Sequence, residues 1–201
     1  MKKVLIILLI IPVIAFTQTT EELDFISTMH DGVAAIKKNN NWGFIDGKGI
    51  IIIDFRDDLV LTHSEDGNYP VFSNNRCLIS EKKEGIAYFG YIDKTGKTII
   101  EPNFLNASNF NNDQSIALKV IKQELGKNEL LDKNIIYNRY YEVTIDTNGN
   151  VKTYLNPKGI NVTLDKQFIN TPPKITSKRV SDNLYAVLDE NNKWTIVKTD
   201  N

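Results

Sequence analysis

The chain has 201 residues, 41% hydrophobic, 9% aromatic and 24% charged, with a formal net charge of −1. That near-neutral balance argues against nucleic acid or an anionic membrane surface as partner, since both select strongly basic faces. A single cysteine, Cys77, excludes an internal disulfide, and its place in an apolar run marks a buried small hydrophobe rather than a reactive thiol.

Residues 1–17 have the layout of a secretory signal peptide. Lys2-Lys3 give a positive start, Val4 to Ile14 an apolar run, and Ala15-Phe16-Thr17 a small-x-small end before Gln18. The run is shorter than the ~20 residues a bilayer span needs. Cleavage near Gln18 is therefore expected, with a non-cleaved anchor as the alternative. No cysteine follows the run to carry a lipid. The remaining residues 18–201 hold 22 basic against 25 acidic residues, a net charge of −3, and suffice for one domain with a sizeable core. Residues 18–30 then offer Leu23, Phe25, Ile26 and Met29, which fit either a short amphipathic helix or a strand lying on a sheet.

The stretch Asn41-Trp42-Gly43-Phe44-Ile45-Asp46-Gly47-Lys48-Gly49-Ile50 returns in edited form. The second copy is Phe89-Gly90-Tyr91-Ile92-Asp93-Lys94-Thr95-Gly96-Lys97-Thr98, the third Val143-Thr144-Ile145-Asp146-Thr147-Asn148-Gly149-Asn150, and the fourth begins at Lys193-Trp194-Thr195-Ile196-Val197. Each full copy reads apolar, Ile, Asp, two free positions, Gly. An Asp opening a type I turn accepts backbone N–H bonds, and a Gly at the fourth position supplies the left-handed conformation that closes the hairpin with a bulge. Apolar runs precede each turn: Val33 to Ile36, Cys77 to Ile79, Ile116 to Val120 and Tyr185 to Leu188. Each unit is thus predicted to hold three strands, over about 31–55, 76–104, 115–155 and, incomplete, 183–201. The spacing is irregular, 47 residues from Asp46 to Asp93 and 53 from Asp93 to Asp146.

Between the units, residues 57–70 read as an acidic, exposed loop and a candidate contact surface. In the third unit, Gln123 to Asn134 suits the tip of a long hairpin projecting beyond the sheet. Tyr137, Tyr140 and Tyr141 beside Arg139 have the composition of a binding hot spot, although strand alternation with the aromatics on a core face is the preferred reading. From Val151 to Asp182 the pattern loosens, and Pro172-Pro173 put this stretch at an edge or over the surface. Leu184 to Leu188 and Trp194 to Val197 form a last hairpin, with Lys198 where earlier units carry Asp. This half-complete unit serves as a cap or leaves an edge open to a partner strand, and the cap is preferred. Trp42 and Trp194, at equivalent places, are expected to plug successive gaps in one core rather than stack on glycans.

At this point the chain resembles the WG-repeat family, named for its Trp-Gly pair. The first unit carries Val33-Ala34-Ala35-Ile36-Lys37-Lys38, then Trp42-Gly43-Phe44-Ile45-Asp46 and Gly49; the second ends Ile99-Ile100-Glu101-Pro102-Asn103-Phe104 in the family's manner. Only the first unit has a true Trp-Gly; the others read Phe89-Gly90, Glu142-Val143 and Trp194-Thr195. The resemblance covers residues 31–120 best and implies no shared catalytic residues. Abundant Lys and Asn with few Arg hint at a bacterial source of low GC content.

Catalytic chemistry finds no foothold. His30 and His63 lack partners at ligand spacing for zinc. Asp146 to Asn150 resembles the opening of a calcium loop, but its Gly is misplaced and Pro157 stands where a bidentate Glu is needed. There is no nucleophile elbow, Cys-His pair or Gly-rich phosphate loop. No catalytic, cofactor-binding or metal-ligating residue is assigned, and no cofactor is expected. The expected fold is all-β: an array of antiparallel three-stranded repeats closing into one curved domain, with solenoid, ring and barrel-like closures open. The expected function is that of an exported, non-enzymatic binding module, periplasmic or secreted, monomeric, without a membrane span after signal removal, and with an envelope protein or glycan as partner. An envelope hydrolase using a carboxylate pair and a purely structural repeat protein are the alternatives.

Overall fold

The computed structural model describes residues 22–128, 133–189 and 191–199. The signal peptide expected at 1–17 and the apex of the long third hairpin lie outside the described residues. The protein is all-β, built of antiparallel strands bent into a curved half-barrel. In order these are β1 (Phe25–His30), β2 (Val33–Lys38), β3 (Asn41–Asp46), β4 (Ile51–Arg56), β5 (Thr62–Ser64), β6 (Gly67–Tyr69), β7 (Phe72–Ser73), β8 (Arg76–Lys83) and β9 (Ile86–Ile92). They continue with β10 (Thr98–Ala107), β11 (Gln114–Asn128), β12 (Lys133–Asp146), β13 (Val151–Tyr154), β14 (Ile160–Val162), β15 (Lys178–Ser181), β16 (Leu184–Leu188) and β17 (Trp194–Lys198). Of the two readings of residues 18–30, the strand is the one found, since β1 pairs with β2.

The predicted Asp turns are present. Asp46 Oδ1 accepts the Lys48 and Ile50 amides at 2.8 and 2.9 Å. Asp93 Oδ1 accepts those of Thr95 and Lys97, and Asp146 Oδ1 those of Asn148 and Asn150. Gly49, Gly96 and Gly149 close these turns with φ near +80° (+78°, +81° and +85°), where a side chain is strained. The expected last hairpin closes with the same turn chemistry, which its sequence had not been assigned: Asp189 Oδ1 accepts the Asn191 and Lys193 amides, with Asn192 at φ +57° in the glycine's place. A second turn type links the other strands. Asp31-Gly32, Asn39-Asn40, Asn74-Asn75, Glu84-Gly85 and Asn112-Asp113 all have positive φ at both residues, the tight hairpin geometry that Asn and Gly favour.

Register makes the repeat explicit. In the first unit Val33 pairs with Asp46, Ala34 with Ile45, Ala35 with Phe44 and Ile36 with Gly43. In the last, Leu184 pairs with Lys198, Tyr185 with Val197, Ala186 with Ile196 and Val187 with Thr195. In the second, Cys77, Leu78 and Ile79 pair with Ile92, Tyr91 and Gly90. In the third, Ser115, Ile116 and Ala117 pair with Ile145, Thr144 and Val143.

These pairings give each unit an outer and an inner face, because side chains alternate along a strand. The inner face of one unit packs on the outer face of the next. At the first seam Val33, Ala35, Trp42, Phe44 and Ile53 meet Cys77, Ile79 and Ile92. At the second, Leu78, Phe89, Tyr91 and Ile100 meet Ala117, Val143 and Ile145. At the third, Ile116 and Leu155 meet Tyr185 and Val187. Connecting segments fill the gaps: Leu59, Tyr69 and Phe72 in the first seam, Phe110 in the second. The segment after β13 crosses a separate face, where Val162, Leu164, Ile169 and Ile175 cover Ile86, Leu105 and Leu118.

Three expectations change. Residues 57–70 are not an exposed loop: β5 and β6 form a hairpin, Leu59 bridges to Ile79, and Tyr69 is fully buried. The acidic composition hid two apolar anchors. Trp42 is a core plug as expected, but Trp194 is 50% exposed, because no further sheet packs on its face among the described residues. The stretch after Val151 does run at an edge, with β14 pairing the far half of β12, but it also anchors core residues.

Candidate functional site

A concavity with chemistry to offer lies on the third unit, between the distal half of β12 and β14. Pairing of Tyr140 with Ile160, Arg139 with Asn161 and Asn138 with Val162 forms its floor, and the cleft encloses about 730 Å³. Arg139 is the best-held polar group there. Its Nε donates to Asn161 Oδ1 and one terminal nitrogen to the Lys158 carbonyl, both at 3.0 Å, and the guanidinium sits 5.5 Å from the Tyr137 ring centroid. The backbone is shaped to seat it. Gly159 has φ +62°, and a Cβ there would come within 2.7 Å of the Arg139 stem and 2.6 Å of the Tyr141 ring. A cation stacked on an aromatic face and fixed by two acceptors is pre-organised, so little freedom remains to be lost on binding.

The tyrosine cluster is divided by the pleat. Tyr137 lines the cleft with Arg139. Tyr140 packs under the crossing segment, where burial and then the charge of Glu142 push its hydroxyl pKa above the ordinary phenol value. Tyr141 is a core residue of the second seam, edge-on to Tyr154 at 5.6 Å. The hot-spot reading thus holds for Tyr137 and Arg139 alone as a matter of placement, and the core reading for Tyr141.

Sequence reasoning missed Glu142. It stands four residues before the turn Asp, where the first two units carry Trp42 and Phe89, and it is 4% exposed. Its carboxylate accepts the Thr176 amide at 2.7 Å and hydroxyl at 2.8 Å on one oxygen, and the Ser177 amide at 2.9 Å and hydroxyl on the other. Four donors on a buried carboxylate clamp the crossing segment that forms one wall of the cleft. The signal available was a carboxylate inside an otherwise apolar strand.

A second polar cluster ties β1 to β6. His30 Nε2 lies 3.0 Å from the Tyr69 hydroxyl, which donates to Asp66 Oδ1 at 2.7 Å. Tyr69 holds the Asp66 carboxyl below its ordinary range by that hydrogen bond, against a smaller opposing effect of burial. Cys77 is fully buried, and burial pushes its thiol far up. Asp146 is occupied by its own turn, including the Asn150 side-chain amide at 3.0 Å. Among the described residues no group of three or more His, Cys, Asp or Glu could hold a metal ion, and no helix is long and apolar enough to cross a membrane.

Comparison with known proteins gives a partial likeness. The family model described as "WG containing repeat" matches residues 22–42 and 89–118, less than half of the chain. Neither the curated proteins nor the solved structures include a match. The first matched stretch runs from the lead into β1 through Trp42, and the second from Phe89 into the first strand of the third unit. The chain is therefore an all-β repeat protein with WG-repeat likeness over two short stretches.

Proposed function

We propose that this chain is an exported, non-catalytic binding module whose partner is an envelope protein or glycan, engaged at the cleft between β12 and β14. The observation that carries the reading is Arg139 locked against Tyr137 by Asn161 and the Lys158 carbonyl. A half-buried aromatic flanked by a fixed guanidinium, amides and the Thr163 hydroxyl suits recognition of a hydroxylated or carbonyl-bearing surface. The lysine pair, apolar run and small-x-small end of residues 1–17 support export.

The test is a pull-down from envelope extract with the purified protein, run beside Arg139→Ala and an array of envelope glycans. A partner or glycan retained by the parent protein and lost in Arg139→Ala supports the reading. Equal retention by both moves the site elsewhere. No retention together with release of soluble fragments from an envelope polymer replaces it with a hydrolase. Export is checked separately by N-terminal sequencing, with the mature chain expected to begin near Gln18.

A further inference from the structure

Across the face that carries Arg139, the residues in register are Lys119 with Tyr141, Ile121 with Arg139 and Asn161, and Gln123 with Tyr137. Directly paired residues point to the same side of a sheet. Among the described residues these pairs therefore bring Lys119 and Arg139 to one face with no Asp or Glu between them. Arg139 differs in this from the other arginines of the chain. Arg56 pairs with Asp58 at 2.5 Å, Arg179 pairs with Asp182 at 3.0 Å, and Arg76 acts through space on the Asp93 carboxylate. Arg139 meets only neutral acceptors among the described residues, the Asn161 side chain and the Lys158 carbonyl. These occupy two of the five N–H groups of a guanidinium, so three remain for a ligand in the cleft. The group is held in place but not neutralised.

From this we infer that the β12–β14 cleft takes a glycan bearing a carboxylate, with the Arg139 guanidinium as the carboxylate's partner. The inference rests on the binding-module reading above and narrows its ligand. A planar guanidinium meets a carboxylate through parallel, charge-assisted N–H···O bonds, and no neutral group pairs with it as strongly. The rest of the lining favours a sugar acid over the carboxyl end of a peptide. Asn138, Asn161 and Thr163 offer neutral donors and acceptors to hydroxyls, and Tyr137, Val162 and Leu164 offer apolar contact to the C–H faces of a sugar ring. Peptides are held by an added strand or by a nest of backbone N–H groups, and here β14 already pairs with that edge of β12.

The experiment is isothermal titration calorimetry of the purified protein with two matched pairs of probes. Trigalacturonic acid and its methyl ester differ at the ring carboxylate; N-acetylmuramic acid and N-acetylglucosamine differ by a lactyl carboxylate. In at least one pair the acid is expected to bind at least about tenfold more tightly than its neutral counterpart, and that pair identifies the source of the carboxylate. Raising the salt concentration should narrow the difference. Arg139→Gln, with an unchanged thermal midpoint, should abolish it. Acid and neutral probes that bind the parent protein equally overturn the inference and leave a cleft for neutral glycans. A preference for the acid that survives in Arg139→Gln overturns it as well, by placing the carboxylate elsewhere. So does a short peptide with a free carboxyl terminus that binds where the sugar acids do not. Binding of none of the four sugars also overturns it, and the pull-down with Arg139→Ala then judges the binding-module reading separately.

Discussion

The first and third seams occupy equivalent places in the array and are held by different physics. Around Trp42 and Phe44 the first seam is apolar and aromatic: Phe25 meets Trp42 edge-on at 5.6 Å, and Phe44 meets Phe72 at 4.7 Å. At the same two positions the third unit has Glu142 and Thr144, both buried. Its seam is held by a clamped carboxylate and a smaller apolar cluster. The repeat thus fixes register and turn chemistry but not the kind of contact a position makes. A segment rich in turn formers and prolines brings few large side chains to fill a seam, and hydrogen bonds to its backbone take their place.

Phe44→Ala tests the apolar end of the contrast and carries the largest expected effect. Truncating a fully buried aromatic costs about 3–5 kcal/mol through lost burial and a residual cavity. Thr144→Ala at the equivalent position removes far less volume, and its hydroxyl already lacks a partner. The expected result in urea unfolding is a large drop in midpoint for Phe44→Ala and a change several times smaller for Thr144→Ala. Equal losses would mean that the two seams are packed alike.

Glu142→Gln tests the polar end. The amide keeps one acceptor oxygen and turns an NH₂ toward donors that previously had a carboxylate oxygen, leaving buried donors unmet at about 1–3 kcal/mol. Amide exchange should rise at Thr176 and Ser177 more than anywhere else. If their exchange stays unchanged while the global midpoint falls, the clamp reading fails.

Gly90→Ala probes why the Trp-Gly signature fades along the chain. A Cβ on Gly90 would lie 2.3 Å from the Ile100 carbonyl oxygen, and one on Gly43 would lie 2.7 Å from that of Ile53. In both units the third strand shifts register across the glycine. In the third unit Val143 and Thr144 pair with Tyr154 and Thr153 without a shift at that point, so a valine fits. Because the blocking atoms are backbone, Gly90→Ala should cost about 1–3 kcal/mol, while Val143→Ala leaves pairing intact.

That glycine marks what was legible in the sequence. The Asp and Gly of each turn fix their own geometry locally, so Asp46, Asp93 and Asp146 reveal hairpins without any knowledge of the rest. Period-2 alternation likewise placed the strands around them. Contacts between units depend on residues far apart in the chain. Tyr69 in an acidic stretch, and Glu142 facing Ser177 from 35 residues away, leave no periodic trace. The exposure of Trp194 was hidden for a related reason: it is the same residue type as Trp42 at the same register, and only a neighbouring sheet among the described residues separates them.

The turns themselves should respond least, and to acid. Asp46 has its carboxyl pKa lowered from 3.8, chiefly by the Ile50 amide and then by that of Lys48. For Asp93 and Asp146 burial pushes upward, but the hydrogen bonds from Thr95 and Lys97, and from Asn150 and Asn148, together outweigh it. A carboxylate depressed in the folded state binds protons less readily than in the unfolded chain. Its contribution is therefore complete above the ordinary value of 3.8 and is lost as pH falls through the depressed folded values. These groups are only half-buried, so screening keeps each contribution small. In the triple variant Asp46→Asn, Asp93→Asn and Asp146→Asn the amide oxygen still accepts, but no proton is taken up. Its urea midpoint should accordingly fall less than the parent's between about pH 5 and about pH 2. A parallel fall in both proteins would assign the acid response to carboxylates outside the turns.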